Sequence, residues 1–159
     1  MSENKGLFDL SHARVSSQKA RMEECARLGI CPFCWENLDG WHDAPVLKQG
    51  NFWIITANDH PYPGSKHHFL AIYRDHISHI YELALGAGDE LLSLFSELCI
   101  EIGIEGATIL MRFGEMVYTG ATVSHLHAHI ISGASKEDAS EIKYPKSFIT
   151  TVLGYKTEK

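Results

Sequence analysis

The strongest constraint on the fold of this chain is a row of three histidines that alternate with apolar residues over positions 125–131, HLHAHII. In a β-strand, successive side chains point to opposite faces of the sheet. The alternation therefore predicts a strand with His125, His127 and His129 on one face, about 6.6 Å apart at a rise of about 3.3 Å per residue. The apolar face would cover a core while the imidazoles line a cleft. Histidines in a cleft can take part in catalysis. The alternative is that these three are hydrogen-bonded within the protein or bind a metal, and have no catalytic role.

Length and composition favour a single domain with its own hydrophobic core. The chain has 159 residues, of which 45% are hydrophobic and 21% are charged, as in an ordinary soluble globular protein. The formal net charge of −6 argues against nucleic-acid binding as the main function, although a local basic pocket could still hold a phosphate. We find no apolar run long enough to span a membrane and no signal peptide in residues 1–10. We therefore expect a cytoplasmic protein.

A Cys-x-x-Cys pair stands near the N-terminus, at Cys31 and Cys34. This spacing serves either to hold zinc from a tight turn or to run thiol exchange. We favour zinc, because no thioredoxin-like βαβ pattern surrounds the pair and histidines are abundant. Two buried cysteines without a metal are the next alternative. Cys25 and Cys99 fall in predicted helices, and we expect them to be small core residues.

Local patterns predict alternating helices, strands and loops. A loose arm is expected at 1–13, and helices are expected at 16–28, from near Ile77 and from Ala87 to Gly103. Strands are expected at 45–48, 52–57, 67–73, 107–111, across the histidine row and at 147–153. Loops are expected at 37–45, 58–65 and 113–122, and a polar connection at 134–146.

Three motifs in one order resemble the histidine triad (HIT) family. The histidine row matches the pattern His-φ-His-φ-His-φ-φ, in which φ is apolar, and residues 68–76, HFLAIYRDH, match the upstream segment with a histidine at each end. There Tyr73 replaces the usual proline and Arg74 the usual lysine. The Cys-x-x-Cys pair is typical of the zinc-containing, bacterial-type branch. The resemblance covers roughly residues 30–132.

The resemblance implies an α+β, HIT-like fold: an antiparallel sheet of about five strands with helices packed on it. We expect an N-terminal arm and helix at 1–29, the HIT-like domain at 30–133, and a C-terminal extension at 134–159 packed on the same domain. Members of the family are usually homodimers that act on purine nucleotides or nucleotide conjugates. We expect neither a membrane nor a specific nucleic acid as a partner.

The family's reaction implies a role for each residue that matches its motif. His127 is the nucleophile that attacks the α-phosphorus of a nucleotide and forms a nucleotidyl-histidine, which water then hydrolyses. His129 is a phosphate donor, and His68 is the supporting histidine of the neighbouring strand. Thr122 takes the place of a serine that binds the phosphate or the leaving group. Gly120 matches a glycine that lets backbone N–H groups approach phosphate, although a turn glycine is the simpler interpretation.

The resemblance also implies a nucleoside contact and a zinc site. Asn58 or Asp59 would bind the ribose, although an apparent insertion at 65–67 blurs the register. The zinc ligands would be Cys31, Cys34, His76 and His125. Two cysteines and two histidines form a closed tetrahedral set, typical of a structural site. The competing ligands are His67, His68 and His79.

Two departures from the family pattern bear on specificity. Ala121 replaces a glutamine, and Arg112-Phe113-Gly114 stands where many members have an asparagine. The favoured function is hydrolysis of a nucleoside phosphoramidate or a dinucleoside polyphosphate, since His129 is retained where the transferase branch commonly has glutamine. The alternatives are a nucleotidyltransferase or phosphorylase, a non-catalytic nucleotide-binding module, and a metallohydrolase with a catalytic metal on all three histidines.

Overall fold

The computed structural model describes residues 6–138 together with Ile149 and Thr151. In this part of the chain the strands are β1 (Val46–Gln49), β2 (Trp53–Ala57), β3 (Ser65–Tyr73), β4 (Thr108–Arg112) and β5 (His127–Gly133). They form one five-stranded antiparallel sheet in the order β1-β2-β3-β5-β4. The α+β class with a five-stranded antiparallel sheet is thus confirmed.

Four α-helices and two 3-10 helices accompany the sheet in the described residues. The α-helices are α1 (Ser16–Leu28), α2 (Trp35–Trp41), α3 (Ala87–Ile102) and α4 (Met116–Thr119), and the 3-10 helices are Leu10–His12 and Ile80–Glu82. The predictions of α1 and α3 are confirmed, including the stop of α3 at Gly103, which has φ 75°. No helix in the described ranges is both long enough and apolar enough to cross a bilayer.

One face of the sheet is covered by α3. The buried residues Leu91, Leu94, Phe95 and Leu98 recur at helical spacing and form one stripe against the sheet. The same core contains the apolar side chains of the histidine row, which are Leu126, Ala128 and Ile130. The predicted division of this row into an apolar face and a histidine face is therefore confirmed for β5, although the strand begins only at His127.

Glu90 joins α3 to the turn between β1 and β2. Its carboxylate oxygens accept hydrogen bonds from three successive backbone N–H groups, those of Asn51, Phe52 and Trp53, at 2.9, 2.7 and 3.0 Å. A Cβ at Gly50 would clash with the same carboxylate, so a larger residue there would displace Glu90 from these N–H groups.

The opposite face of the sheet carries the histidines and is partly covered by α2. Leu38 of α2 packs against Ile54, Leu70 and Ile72. The prediction of a loop at 37–45 is therefore wrong for its first residues. Asn37, Asp39 and Gly40 are typical turn formers, but burial of Leu38 stabilises a helix there, because packing overrides a weak local propensity.

The N-terminal segment is not a loose arm over residues 6–13. Phe8 forms an isolated bridge with Val123, Asp9 N–H donates to the Thr122 carbonyl at 3.0 Å, and Ser124 N–H donates to the Leu7 carbonyl at 2.9 Å. The segment thus lies along the chain that leads into β5. Local periodicity could not predict this, since the partners are more than 100 residues apart.

Two other predictions differ from the structure, and a third cannot be compared with it. The predicted loop at 113–122 contains the single-turn helix α4, and the helical region expected near Ile77 begins at Ile80 as a 3-10 helix. The predicted strand at 147–153 lies outside the described residues, apart from Ile149 and Thr151.

Candidate active site

The four predicted metal ligands converge at one point. Cys31 and Cys34 come from the turn before α2, His76 follows β3, and His125 precedes β5. One ligand atom from each residue lies within 4.8 Å of all the others. Cys34 Sγ and His125 Nδ1 each lie 3.3 Å from His76 Nδ1, and Cys31 Sγ lies 3.5 Å from His125 Nδ1.

These spacings fit a tetrahedral zinc ion. Zn–S bonds of about 2.3 Å and Zn–N bonds of about 2.0–2.1 Å place tetrahedral ligand atoms about 3.3–3.8 Å apart. His125 Nε2 donates a hydrogen bond to the Tyr73 carbonyl at 2.7 Å, which presents Nδ1 to the centre of the cluster. Two sulfurs and two imidazole nitrogens complete the coordination, so the donor set suits a structural rather than a catalytic ion.

The three histidines considered as alternative metal ligands lie elsewhere. The ring of His67 stacks on Phe69, that of His79 stacks on Tyr81, and His68 contacts His129.

Thiol exchange is also disfavoured at the cysteine pair. Burial, reinforced by the neighbouring Cys31, raises the pKa of the Cys34 thiol to about 12, whereas exchange requires a thiolate.

His127 is held as an uncharged imidazole. Its Nδ1 donates to the carbonyl oxygen of His125 at 2.6 Å, so the neutral ring carries its lone pair on Nε2. Burial lowers the pKa of His127 to about 4; the hydrogen bond to the His125 carbonyl opposes this shift, and the positive charge of Arg112 adds to it. A neutral ring with a free lone pair is what a nucleophilic histidine requires.

His68 determines which nitrogen of His129 carries the proton. The Tyr62 N–H donates to His68 Nδ1 at 3.0 Å, so the neutral ring of His68 has its hydrogen on Nε2. That Nε2 lies 2.9 Å from His129 Nδ1, to which it donates. His129 therefore carries its own hydrogen on Nε2. Asn58 Nδ2 lies 3.0 Å from the same His68 nitrogen.

Burial keeps both supporting histidines neutral. It lowers the pKa of His68 to about 3, with further lowering by Arg14 and His127. It also lowers the pKa of His129 well below the usual value, with His127 and His68 adding to the shift. The row therefore offers one lone pair, at His127 Nε2, and one N–H donor, at His129 Nε2.

The loop between α4 and β5 supplies four more residues at the site: Gly120, Ala121, Thr122 and Val123. Gly120 has φ 69°, and its N–H donates to the Met116 carbonyl at 2.9 Å, which closes α4. The end of a helix thus accounts for the glycine. The Thr122 carbonyl accepts the hydrogen bond from Asp9 N–H, which holds this loop against the N-terminal segment.

The two predicted ribose contacts follow β2 and have internal partners. Asn58 Oδ1 accepts a hydrogen bond from His60 N–H at 2.8 Å. Asp59 forms an ion pair with Arg21 at 2.9 Å and accepts hydrogen bonds from the backbone N–H groups of residues 43 and 44, at 2.9 and 3.0 Å. Through its ion pair with Arg21, the Asp59 carboxylate therefore also connects α1 to the end of β2.

Most of these groups line one cavity of about 400 Å³. Six of the predicted catalytic and binding residues line it: His127, His129, Asn58, Asp59, Gly120 and Thr122. His68 does not line it and contacts His129 instead. The structure thus brings six of the predicted residues together around one cavity.

Several other residues of this cavity were not predicted for the site, among them Arg14, Phe33, Trp41, Tyr62 and Arg112. The Phe33 ring lies 5.0 Å from the His127 ring, edge to face, and the Tyr62 ring is stacked 6.2 Å from the His129 ring. Only Arg112 had a usable signal. It directly follows the predicted strand at 107–111 and lies opposite His127 in the β4–β5 register.

Comparison with known sequences gives one match. Residues 42–144 match the family model described as "Scavenger mRNA decapping enzyme C-term binding". No curated protein matches the chain.

Solved histidine triad structures share the fold. A protein titled "Hit Like Protein" is 23% identical over 61% of this chain and 93% of its own, with a TM-score of 0.51. A hypothetical histidine triad nucleotide-binding protein from Sulfolobus tokodaii strain7 is 22% identical over 81% and 82%, with a TM-score of 0.52. A histidine triad nucleotide-binding protein from Candida albicans is 15% identical over 77% and 80%, with a TM-score of 0.53. At these identities the likeness establishes the fold.

Proposed function

This chain belongs to the histidine triad family, and we propose that it is a nucleotide hydrolase acting on a nucleoside phosphoramidate or a dinucleoside polyphosphate. The observation that carries the proposal is the 2.6 Å hydrogen bond from His127 Nδ1 to the His125 carbonyl. It leaves the Nε2 lone pair of a neutral imidazole at the wall of a cavity of about 400 Å³. Such a lone pair is suited to attack at phosphorus.

The proposed reaction has two steps. In the first, His127 Nε2 attacks the α-phosphorus, an N–P bond forms, and the bond from phosphorus to the leaving group breaks. The electron pair of that bond departs with the leaving group, and an amine leaving group also takes up a proton from solvent. In the second, water attacks the phosphorus, the N–P bond breaks with its electron pair returning to Nε2, and a proton passes to solvent. The products are a nucleoside monophosphate and the free leaving group.

Donors around the nucleophile would stabilise the phosphoryl oxygens. His129 Nε2–H is the first, because the hydrogen bond from His68 fixes the proton there. The Thr122 hydroxyl is the second proposed donor, and the missing side chain of Gly120 keeps the loop open to the phosphate. Preorganised donors in a partly dry cavity can stabilise the charge of the transition state without a catalytic metal.

The apolar part of the cavity would hold the nucleoside. Phe33 and Trp41 offer aromatic surface for a purine base. Asn58 and Asp59 are the proposed ribose contacts, and in Asp59 this role would be added to its ion pair with Arg21. The predicted homodimer and cytoplasmic location remain predictions.

Zinc is the proposed structural cofactor. Cys31, Cys34, His76 and His125 would hold it, and it would supply cross-linking of the chain rather than chemistry at phosphorus. Because His125 also accepts the hydrogen bond from His127 through its carbonyl oxygen, the metal site would position the nucleophile.

The test is the intact mass of the protein after a short reaction with adenosine 5′-phosphoramidate or diadenosine triphosphate. We expect an adenylyl adduct and AMP release with wild type and with a control, His67→Ala, and neither with His127→Ala. His67 lies outside the cavity but on the same strand as His68. Turnover that persists in His127→Ala, or no turnover by wild type with either nucleotide, would contradict the proposal. A nucleotidyltransferase would instead require added phosphate or another acceptor.

A further inference from the structure

The loop between β2 and β3 controls the protons of the buried histidines through one backbone N–H group. The Tyr62 N–H donates to His68 Nδ1 at 3.0 Å. The residues on either side of Tyr62 are prolines, which have no N–H to donate. The position of this one residue therefore decides whether a backbone donor faces His68 Nδ1.

The amide of Asn58 favours the opposite tautomer of His68. Its Oδ1 accepts a hydrogen bond from His60 N–H at 2.8 Å, so its nitrogen faces His68 Nε2, at 3.0 Å. This amide can donate to Nε2 only if Nε2 has no hydrogen, and the neutral ring then carries its hydrogen on Nδ1. The Tyr62 N–H points at Nδ1 and prevents this. Two donors thus compete for one ring, and the backbone donor decides the outcome.

The tautomer of His68 is passed on to His129. His129 Nδ1 lies 2.9 Å from His68 Nε2. If His68 Nε2 lost its hydrogen, His129 Nδ1 would have to donate to it, and His129 Nε2 would keep only a lone pair. The cavity would then present a lone pair where the N–H donor now lies. A lone pair repels phosphoryl oxygens instead of stabilising them.

Arg14 holds the loop that contains Tyr62. Its guanidinium lies over the Tyr62 ring, 4.1 Å from the centroid, and Nη2 donates to the His60 carbonyl at 2.6 Å. A cation over an aromatic ring and a charged hydrogen bond to a carbonyl are both stabilising contacts. Arg14 therefore contacts the loop on both sides of Pro61.

The N-terminal segment fixes Arg14 in this place. The Asp9 N–H donates to the Thr122 carbonyl at 3.0 Å, and the Asp9 carboxylate accepts the Ser11 N–H at 3.0 Å, which caps the 3-10 helix before Arg14. The Arg14 N–H donates to Gln18 Oε1 at 3.0 Å, in the first turns of α1. The segment lies outside the range that matches the family model.

We propose that Arg14 is a positioning residue that sets the tautomers of His68 and His129. By holding the loop, it keeps the Tyr62 N–H on His68 Nδ1, and so keeps the hydrogen of His129 on Nε2. When the loop is released, the Asn58 amide selects the other tautomer. The consequence for catalysis rests on the proposed function, in which His129 Nε2–H meets the phosphate.

The test is the two-bond ¹H–¹⁵N correlation spectrum of the histidine rings at neutral pH, which distinguishes ring nitrogens with and without hydrogen. In wild type we expect the hydrogen on Nε2 of His68 and of His129, and in Arg14→Ala a population with both hydrogens on Nδ1. Arg14→Lys should keep the wild-type pattern, since an ammonium can also lie over the ring and donate to the carbonyl. The control is Arg27→Ala, an exposed arginine of α1 paired with Glu24.

The kinetic counterpart uses adenosine 5′-phosphoramidate. We expect kcat of Arg14→Ala to fall about 10-fold with little change in KM, as for a lost transition-state hydrogen bond. Arg14 is exposed, so the variant should keep its fold.

The outcomes separate the two proposals. Ring spectra of Arg14→Ala that match wild type would overturn this inference. If kcat falls all the same, Arg14 acts on the substrate directly, and the proposed hydrolase stands. Spectra that change in Arg14→Ala but not in Arg27→Ala would support the inference. They would do so even if wild type cleaves neither nucleotide, a result that contradicts the hydrolase alone.

Discussion

His68 Nε2 lies 2.9 Å from His129 Nδ1, on the neighbouring strand of the sheet. Because a backbone N–H group occupies the other nitrogen of His68, the His68 proton lies in the hydrogen bond to His129, and the His129 proton is left on Nε2 at the cavity. The arrangement works only if both rings are neutral.

The neutrality of His68 predicts a pH dependence of stability. Its pKa is about 3 in the folded protein and about 6.5 in an unfolded chain. Below pH 6.5 the unfolded chain therefore binds a proton that the folded protein does not, so stability falls as the pH falls toward 3. Between pH 7 and pH 5, His68 alone should account for a loss of about 2 kcal/mol.

Urea unfolding of wild type and His68→Gln at both pH values measures this difference. The variant should lose about 2 kcal/mol less than wild type over the same interval. Both proteins are measured with zinc, so that protonation of the metal ligands contributes equally. Parallel pH dependences of the two unfolding free energies would show that His68 is not the group responsible.

Cys31→Ser should remove zinc and lower stability. A metal that binds only the folded chain stabilises it, by about 2.7 kcal/mol at 100 times its dissociation constant. We expect native mass spectrometry to find one zinc per chain in wild type and none in the variant, with a lower unfolding temperature. Cys99→Ser is the control, since Cys99 lies in α3 outside the cluster. A variant that keeps its zinc would contradict the assignment.

Leu98→Ala should weaken the fold without changing the chemistry. Leu98 is 2% exposed beneath the sheet, on the face opposite the histidines. Its truncation should cost about 2–5 kcal/mol, measured by urea unfolding. Leu92→Ala on the same helix, 58% exposed, should cost less than about 0.5 kcal/mol. Equal costs for the two variants would place the core elsewhere.

Glu90→Ala should also destabilise the protein, by about 1–3 kcal/mol, because three N–H groups lose their shared acceptor. Asp89→Ala is the matched control. Asp89 stands in the same first turn of α3 and should lose only a helix-dipole interaction of about 0.3–1 kcal/mol. Unfolding free energies that fall by the same amount in the two variants would refute the role of Glu90.

Features that depend on local periodicity could be predicted from the sequence. The strand alternation separated His127 and His129 from Leu126 and Ala128, and helical spacing located α3. The resemblance of the motifs to the histidine triad family also implied the cluster of Cys31, Cys34, His76 and His125, which the structure brings together.

The surroundings of His127 depend on contacts between distant parts of the chain. Arg14 and Arg112 are 98 positions apart, and no local pattern relates them, yet both reach Tyr62. Asp59 likewise has its carboxylate engaged by Arg21 from α1. Periodicity reports which face a side chain takes, whereas the partners on that face depend on how distant segments pack.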